Sequence, residues 1–109
     1  MCLAACASVP TPTPDVQPLL DEGRANLALY QWDAAIRTLT QAIDADPEQA
    51  EAYCLRALVL ASGPTGRDGR AAAITDYSRC LELAPSGPHA DEARSALRAL
   101  GAAETTAAH

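Results

Sequence analysis

Lysine and phenylalanine are both absent from this chain of 109 residues, and aromatic residues make up only 4% of it. All eight basic residues are therefore arginines, against 14 acidic residues, and the net charge is −6. Because nucleic acids and anionic lipid surfaces select proteins with a basic surface, this balance argues against both as direct partners. No apolar run approaches the roughly 20 residues of a membrane-spanning helix. A chain of this length holds one small domain.

Motifs for metal binding and catalysis are also missing. The cysteines show no C-x-x-C spacing, and neither histidine lies near a cysteine cluster, so we predict no metal site. No serine or cysteine has an evident general base beside it in the sequence, and the carboxylates are spread over predicted helix surfaces. We therefore expect neither enzyme activity nor a cofactor.

The middle of the chain contains two copies of one pattern. The segment LYQWDAAIRTLTQAIDADP (29–47) matches RDGRAAAITDYSRCLELAP (67–85), with aligned residues 38 positions apart. Two further pairs lie 34 positions apart: Leu19 with Tyr53, and Gly23 with Ala57. The two spacings differ by four residues (38 − 34 = 4), which correspond to an insertion in the turn-rich segment SGPTGRDGR (62–70). The underlying period is therefore 34 residues.

Each copy carries the spacing of paired amphipathic helices. Ile36, Leu39 and Ile43 recur at intervals of three and four residues and form one apolar stripe. Asp46 and the proline after it predict that one helix ends and the next begins there. Small residues in the two copies allow paired helices to approach closely.

A fifth helix is predicted over residues 88–100. Its apolar positions share one face, and Gly101 is suited to end it: Ala90, Ala93, Leu97 and Leu100. Such a helix covers the end of a repeat array with one face and meets water with the other. We expect the tail over 102–109 to be disordered.

The 34-residue period of two short helices resembles the tetratricopeptide repeat. The resemblance covers about residues 16–100 and rests on Gly23 or Ala57 in the first helix and on the Ala-Ile pair and final proline of each copy. It implies an all-α fold of two helix-turn-helix repeats plus a C-terminal capping helix, a short right-handed α-solenoid. The expected domain spans 15–101, with repeat 1 at about 16–49, repeat 2 at about 50–87 and the capping helix at about 88–100.

The resemblance also implies a concave groove, lined by the first helix of each pair, that binds a peptide or a partner helix. Alignment assigns eight residues to it: Gln17, Leu20, Arg24, Leu27, Glu51, Cys54, Leu58 and Ala61. Arg24 is suited to meet a carboxylate. The lysine-containing clamp by which some family members hold a C-terminal carboxylate is absent, because the chain has no lysine. The alternative is that these residues are ordinary packing or solvated positions.

The opening MCLAACASVPTPTPD carries a second resemblance. Leu3-Ala4-Ala5-Cys6 resembles the end of a bacterial lipoprotein signal, in which the cysteine thiol takes a diacylglyceryl group. The alternating prolines that follow predict an extended tether, so residues 1–14 are assigned to a remnant signal and a tether. Only five residues precede Cys6, too few to direct export. A lipid anchor therefore requires a start upstream of Met1; the alternative is a chance match in an alanine-rich chain.

Cys54 and Cys80 leave two interpretations open. In an oxidising compartment they could form a disulfide, since they belong to opposite helices of the second pair. Alternatively they are two small buried hydrophobic residues, because Cys80 takes the place of Ala42 in the first copy. The second interpretation is favoured by the sequence.

The expected function is non-catalytic protein binding by a membrane-tethered scaffold of the bacterial envelope. With an upstream start, the protein is expected to be an outer-membrane lipoprotein facing the periplasm, with a protein or peptide partner. One alternative is a soluble cytoplasmic adaptor with the same fold. Another is a structural homo-oligomer whose groove is filled by a neighbouring copy.

Overall fold

A computed structural model describes residues 14–108, with side chains described up to Gly101. This part of the chain folds into helices joined by short turns, which confirms the predicted all-α class. The helices are α1 Gln17–Ala28, α2 Trp32–Ala45, α3 Ala50–Ser62, α4 Gly66–Leu83 and α5 Ala90–Ala108.

Helix α3 lies at the centre of the packing. Each helix packs most extensively against its neighbours in sequence, and α1 also contacts α3. One apolar core lies among α1, α2 and α3, and a second lies among α3, α4 and α5. Helix α3 supplies Leu55 and Val59 to the first core and Cys54 and Ala57 to the second. No face of α3 is therefore left wholly to solvent along its middle turns.

Burial follows the repeat in the sequence. Residues aligned between the two copies are buried together, as three pairs illustrate: Ala35 with Ala73, Leu39 with Tyr77, and Ala42 with Cys80. Gly23 is buried like its counterpart Ala57. A Cβ at Gly23 would lie 2.6 Å from Cδ2 of Leu39, so the close approach of α1 to α2 depends on glycine.

The boundary between α2 and α3 differs from the prediction. Helix α2 ends at Ala45 and α3 begins at Ala50, so Asp46 does not cap the start of α3. Its carboxylate instead accepts the backbone N–H of Glu48 at 3.2 Å. The Asp-Pro pair marks a turn between the helices, as expected, but it shapes the turn itself because aspartate also bonds backbone two residues on.

Helix α5 continues past Gly101 to Ala108, where a helix end and a disordered tail were predicted. A glycine inside a helix costs only about 1 kcal/mol relative to alanine. The residues after Gly101 are rich in alanine, which has the highest helix propensity, and this offsets that cost. A single glycine was therefore too weak a signal to end the helix.

The turn between α1 and α2 contains Tyr30 in a backbone conformation that glycine usually adopts. The N–H of Gln31 donates to the carbonyl of Asn26 at 2.8 Å, and that of Tyr30 to the carbonyl of Leu27 at 3.0 Å. This pattern places Tyr30 at the left-handed position of a Schellman motif, with φ of 58°. Glycine usually occupies that position, and a residue with a Cβ adopts it at a cost of about 1 kcal/mol.

Candidate functional site

The predicted groove residues separate into two groups in the structure. Leu20 is fully buried in the first core, and Cys54 is only 6% exposed in the second. Neither lines an open surface, because both are needed for helix packing, and their assignment to the groove is corrected. The other six retain accessible surface: Gln17, Arg24, Leu27, Glu51, Leu58 and Ala61. Of these, Leu27 also packs against the first core.

Helices α1 and α3 bring five of these residues to neighbouring stripes. Gln17 and Arg24 are seven residues apart on α1, as are Glu51 and Leu58 on α3, and residues at that spacing share a helix face. The guanidinium of Arg24 contacts the carboxylate of Glu51, which joins the two stripes. We call this surface, with Ala61 at its end, the α1–α3 groove.

Charges in the α1–α3 groove are centred on Glu51. Its Oε1 contacts the guanidinium of Arg24 and lies 3.5 Å from Nε2 of His89. Arg24 also donates to Oδ1 of Asp21 at 2.8 Å. The side chain of Arg24 remains 40% exposed, so part of it is accessible to a partner.

A cavity of about 250 Å³ lies beside Glu51, at one end of the α1–α3 groove. It lies between the start of α3 and the loop before α5, and its lining includes Glu51, Cys80, Pro88 and His89. Within residues 14–101, no three histidine, cysteine or acidic side chains come together in a way that could hold a metal ion. The chemistry offered here is hydrogen bonding and ion pairing by side chains.

Cys54 and Cys80 are joined by a disulfide. Their Cα atoms are 5.5 Å apart, and the bond links α3 to α4. The two residues are 6% and 1% exposed, so the bond lies inside the second core. The interpretation favoured by the sequence, two unpaired buried cysteines, was therefore wrong, because a separation of 26 residues along the chain does not show how close the two side chains lie in the fold.

A buried ion pair between α3 and α4 was not predicted. Arg56 donates from Nε and Nη2 to the two carboxylate oxygens of Asp76 at 2.7 and 2.9 Å, and from Nη1 to the hydroxyl of Thr40 at 3.2 Å. Asp76 is only 4% exposed. The hydrogen bond to Asp76 raises the pKa of Arg56 further, although burial acts against it.

One feature of the sequence could have indicated this pair. Asp76 follows Ala73 by three residues and precedes Cys80 by four, so it lies on the apolar stripe of its helix. An acidic residue at such a position is rarely buried without a charged partner. The identity of the partner, 20 residues earlier, requires the tertiary structure.

Comparison with known proteins identified no relative of this chain. No protein-family model matches the chain, and searches of curated proteins and of solved structures found no match. Among the helices of residues 14–108, none is both long enough and apolar enough to cross a membrane. The predicted lipidation residue, Cys6, lies outside the described residues, as does the tether up to residue 13.

Proposed function

We propose that this protein is a non-catalytic protein-binding module of the tetratricopeptide type, which takes a peptide or helix in the α1–α3 groove. The observation that carries the proposal is the contact between Arg24 and Glu51, because it sets the first helices of successive pairs side by side. Helices arranged in this way offer a partner two parallel rows of side chains. Arg24 supplies a charged donor and Leu58 a half-buried apolar contact in those rows.

The buried disulfide supports a location outside the cytoplasm. Stable disulfides form in oxidising compartments, including the bacterial periplasm, and are rare in cytosolic proteins. A bond between Cys54 and Cys80 thus favours the envelope protein over the cytoplasmic adaptor. It agrees with the resemblance of residues 3–6 to a lipoprotein signal, and we propose Cys6 as the lipid attachment site.

Site-directed photo-crosslinking in cells tests the groove. A photoreactive residue is placed at Gln17 or Leu58 in the groove and, as the control, at Arg37, which is exposed on α2. We expect a discrete adduct from the two groove positions and none from the control. Adding Arg24→Glu should suppress the adduct, whereas the matched charge reversal Arg37→Glu should not. Equal adducts at all three positions, or adducts that Arg24→Glu leaves unchanged, would contradict the proposal.

Metabolic labelling tests the anchor separately. The chain is expressed behind a restored bacterial signal peptide and labelled with a palmitate analogue. We expect label on the wild type and none on Cys6→Ser, while Cys2→Ser, as the control, keeps the label. Equal labelling of Cys6→Ser would rule out Cys6 as the attachment site. The groove experiment does not depend on this result.

A further inference from the structure

The turn between α1 and α2 presents an exposed apolar surface. Leu29 and Tyr30 are 65% and 74% exposed, and they are the large hydrophobic residues that the described part of the chain exposes most. The ring of Tyr30 lies 5.6 Å from that of Trp32 at an angle of 52°. Tyr30 and Trp32, together with Pro64 between α3 and α4, border a cleft of about 360 Å³. We call Tyr30, Trp32 and Pro64 the aromatic patch.

The aromatic patch is held in place by the backbone around it. Tyr30 has a left-handed conformation that positions its ring outward, where it adds little to the core. Trp32 packs partly on the first core, and a Cβ at Gly63 would lie only 3.0 Å from its ring. Packing therefore holds the ring of Trp32 at the cleft, and the ring of Tyr30 lies beside it. A tyrosine in this strained conformation, exposed to water, points to a role in binding and not in folding.

We infer that the aromatic patch binds the proline-rich segment VPTPTP (9–14) of a second copy of this chain. Clefts lined by aromatic rings take proline-rich segments in the polyproline conformation, which loses little entropy on binding. Pro10, Pro12 and Pro14 alternate with threonines, whose hydroxyls can donate to the carboxylate of Asp33 at the edge of the cleft. The segment carries no charge before Asp15, so it meets no repulsion from that carboxylate.

A second copy is required because the segment of the same chain is too short to reach. Val16 is 4% exposed and fixes the chain at the start of α1. Tyr30 lies beyond the far end of the 12-residue helix α1, which is about 18 Å long at 1.5 Å per residue. Pro14 lies two residues before Val16, a span of only about 6 Å in a polyproline conformation, so the segment cannot lie along the patch of its own chain. Exchange of the segments between two copies gives a closed dimer.

Tryptophan fluorescence tests the contact directly, because Trp32 is the single tryptophan of the chain. The full chain carrying Pro10→Ala and Pro12→Ala leaves the aromatic patch free for an added peptide of residues 7–15. We expect a saturable shift in Trp32 emission with this peptide and none with a peptide in which alanines replace the prolines. Tyr30→Gly removes the ring and keeps the turn, because glycine adopts the left-handed conformation freely, and it should abolish the shift.

Sedimentation of the full chain over a concentration series tests the dimer. We expect the wild type to dimerise, and both Tyr30→Gly and the double proline variant to weaken dimerisation at least tenfold. A wild type that stays monomeric, or a dimer that either variant leaves unchanged, would overturn the inference. So would a peptide that gives no saturable shift. This surface is separate from the α1–α3 groove, so either result leaves the proposed function to its own experiment.

Discussion

The two helix pairs, α1 with α2 and α3 with α4, use the same repeat positions for different interactions. Leu20 and Ala42 of the first pair are fully buried in an apolar core. The residues that follow them by 34 and 38 positions are Cys54 and Cys80, which form the disulfide of the second pair. A covalent bond in one pair therefore stands where the other pair relies on apolar packing.

A second contrast concerns the one buried polar position of each repeat. Thr38 is 7% exposed and accepts a long hydrogen bond of 3.4 Å from Nδ2 of Asn26. Its counterpart 38 residues later is Asp76, which forms the buried ion pair with Arg56. In the first pair the buried polar side chain forms a hydrogen bond with a neutral group, and in the second pair it forms an ion pair. The repeat thus fixes which positions are buried, while each pair stabilises them by its own chemistry.

Among the changes that test this contrast between the two pairs, reduction of the disulfide should cause the largest loss of stability. In a Cys2→Ser/Cys6→Ser background, we expect reductant to lower the free energy of unfolding by about 3 kcal/mol, because the unfolded chain loses a constraint on 26 residues. The control, Cys54→Leu with Cys80→Ala, reproduces the apolar pair of the first repeat and should not respond to reductant. Urea unfolding with and without reductant measures both. Equal stability of the parent under the two conditions would contradict the prediction.

Removal of the buried carboxylate should have the next largest effect. We expect Asp76→Ala to lower the free energy of unfolding by about 2–3 kcal/mol, because Arg56 remains largely buried without its partner. The matched change in the first pair, Thr38→Ala, breaks a neutral hydrogen bond and should cost about 1 kcal/mol. Denaturant unfolding compares the two. Combining Asp76→Ala with Arg56→Ala should lower the free energy of unfolding by less than the sum of the two single losses, because the two residues interact. A loss equal to that sum would argue against coupling.

Gly23→Ala tests the closest approach of α1 to α2. The new Cβ would lie 2.6 Å from Cδ2 of Leu39, which is fully buried and has little room to move. We expect a loss of about 1–2 kcal/mol in the free energy of unfolding, even though alanine has the higher helix propensity. The reverse change in the second pair, Ala57→Gly, provides the matched control for propensity. Stabilisation by Gly23→Ala, measured by denaturant unfolding, would show that the helices can separate without cost.

Alkaline pH should lower the stability of the fold through Tyr77 of the second pair. Its counterpart in the first pair, Leu39, has no group that titrates. Burial raises the pKa of Tyr77 to about 12 from its usual value near 10. Between these values the folded chain keeps a proton that the unfolded chain releases, so stability is complete below pH 10 and falls as the pH rises toward 12. We expect a loss of about 1.4 kcal/mol at pH 11 relative to pH 9, measured by urea unfolding. Tyr77→Phe should lack this loss, and an equal loss in that variant would assign it to other groups.

The smallest expected effect is a gain in stability from a substitution in the turn between α1 and α2. Tyr30 adopts a φ of 58°, whereas the positive φ at the start of α4, 68°, belongs to Gly66. At a chain concentration too low for dimerisation, Tyr30→Gly should therefore raise the free energy of unfolding by about 1 kcal/mol, seen as a higher melting temperature. Tyr30→Ala removes the same ring but keeps the strained backbone, and it should give no such gain. An equal gain from both variants would assign the effect to the ring.

Much of the fold could be predicted from particular residues. The pairing of Ala35 with Ala73 and of Leu39 with Tyr77 predicted matching burial, because helix periodicity decides which side of a helix is apolar. Helix ends were predicted less well, as Asp46 and Gly101 show. An aspartate or a glycine changes local stability by only about 1 kcal/mol, which neighbouring residues readily offset.

The candidate site was only partly predictable. Arg24 and Glu51 were assigned to one surface by alignment, and the structure brings them into contact. Leu20 and Cys54 were assigned to the same surface but are buried, because a shift of one residue along a helix turns a side chain by about 100°. Sequence periodicity does not fix the rotation of one helix against another to that accuracy.

The sequence by itself determined the helical class, the 34-residue period and the positions that face a core, because these depend on local propensity and on the spacing of apolar residues. Only the tertiary structure decided that Cys54 bonds to Cys80, that Arg56 meets Asp76 and that Tyr30 faces solvent. Each of these depends on how two helices are placed and rotated against each other to within a few ångströms. That placement results from packing across the whole core, which no single stretch of the sequence encodes.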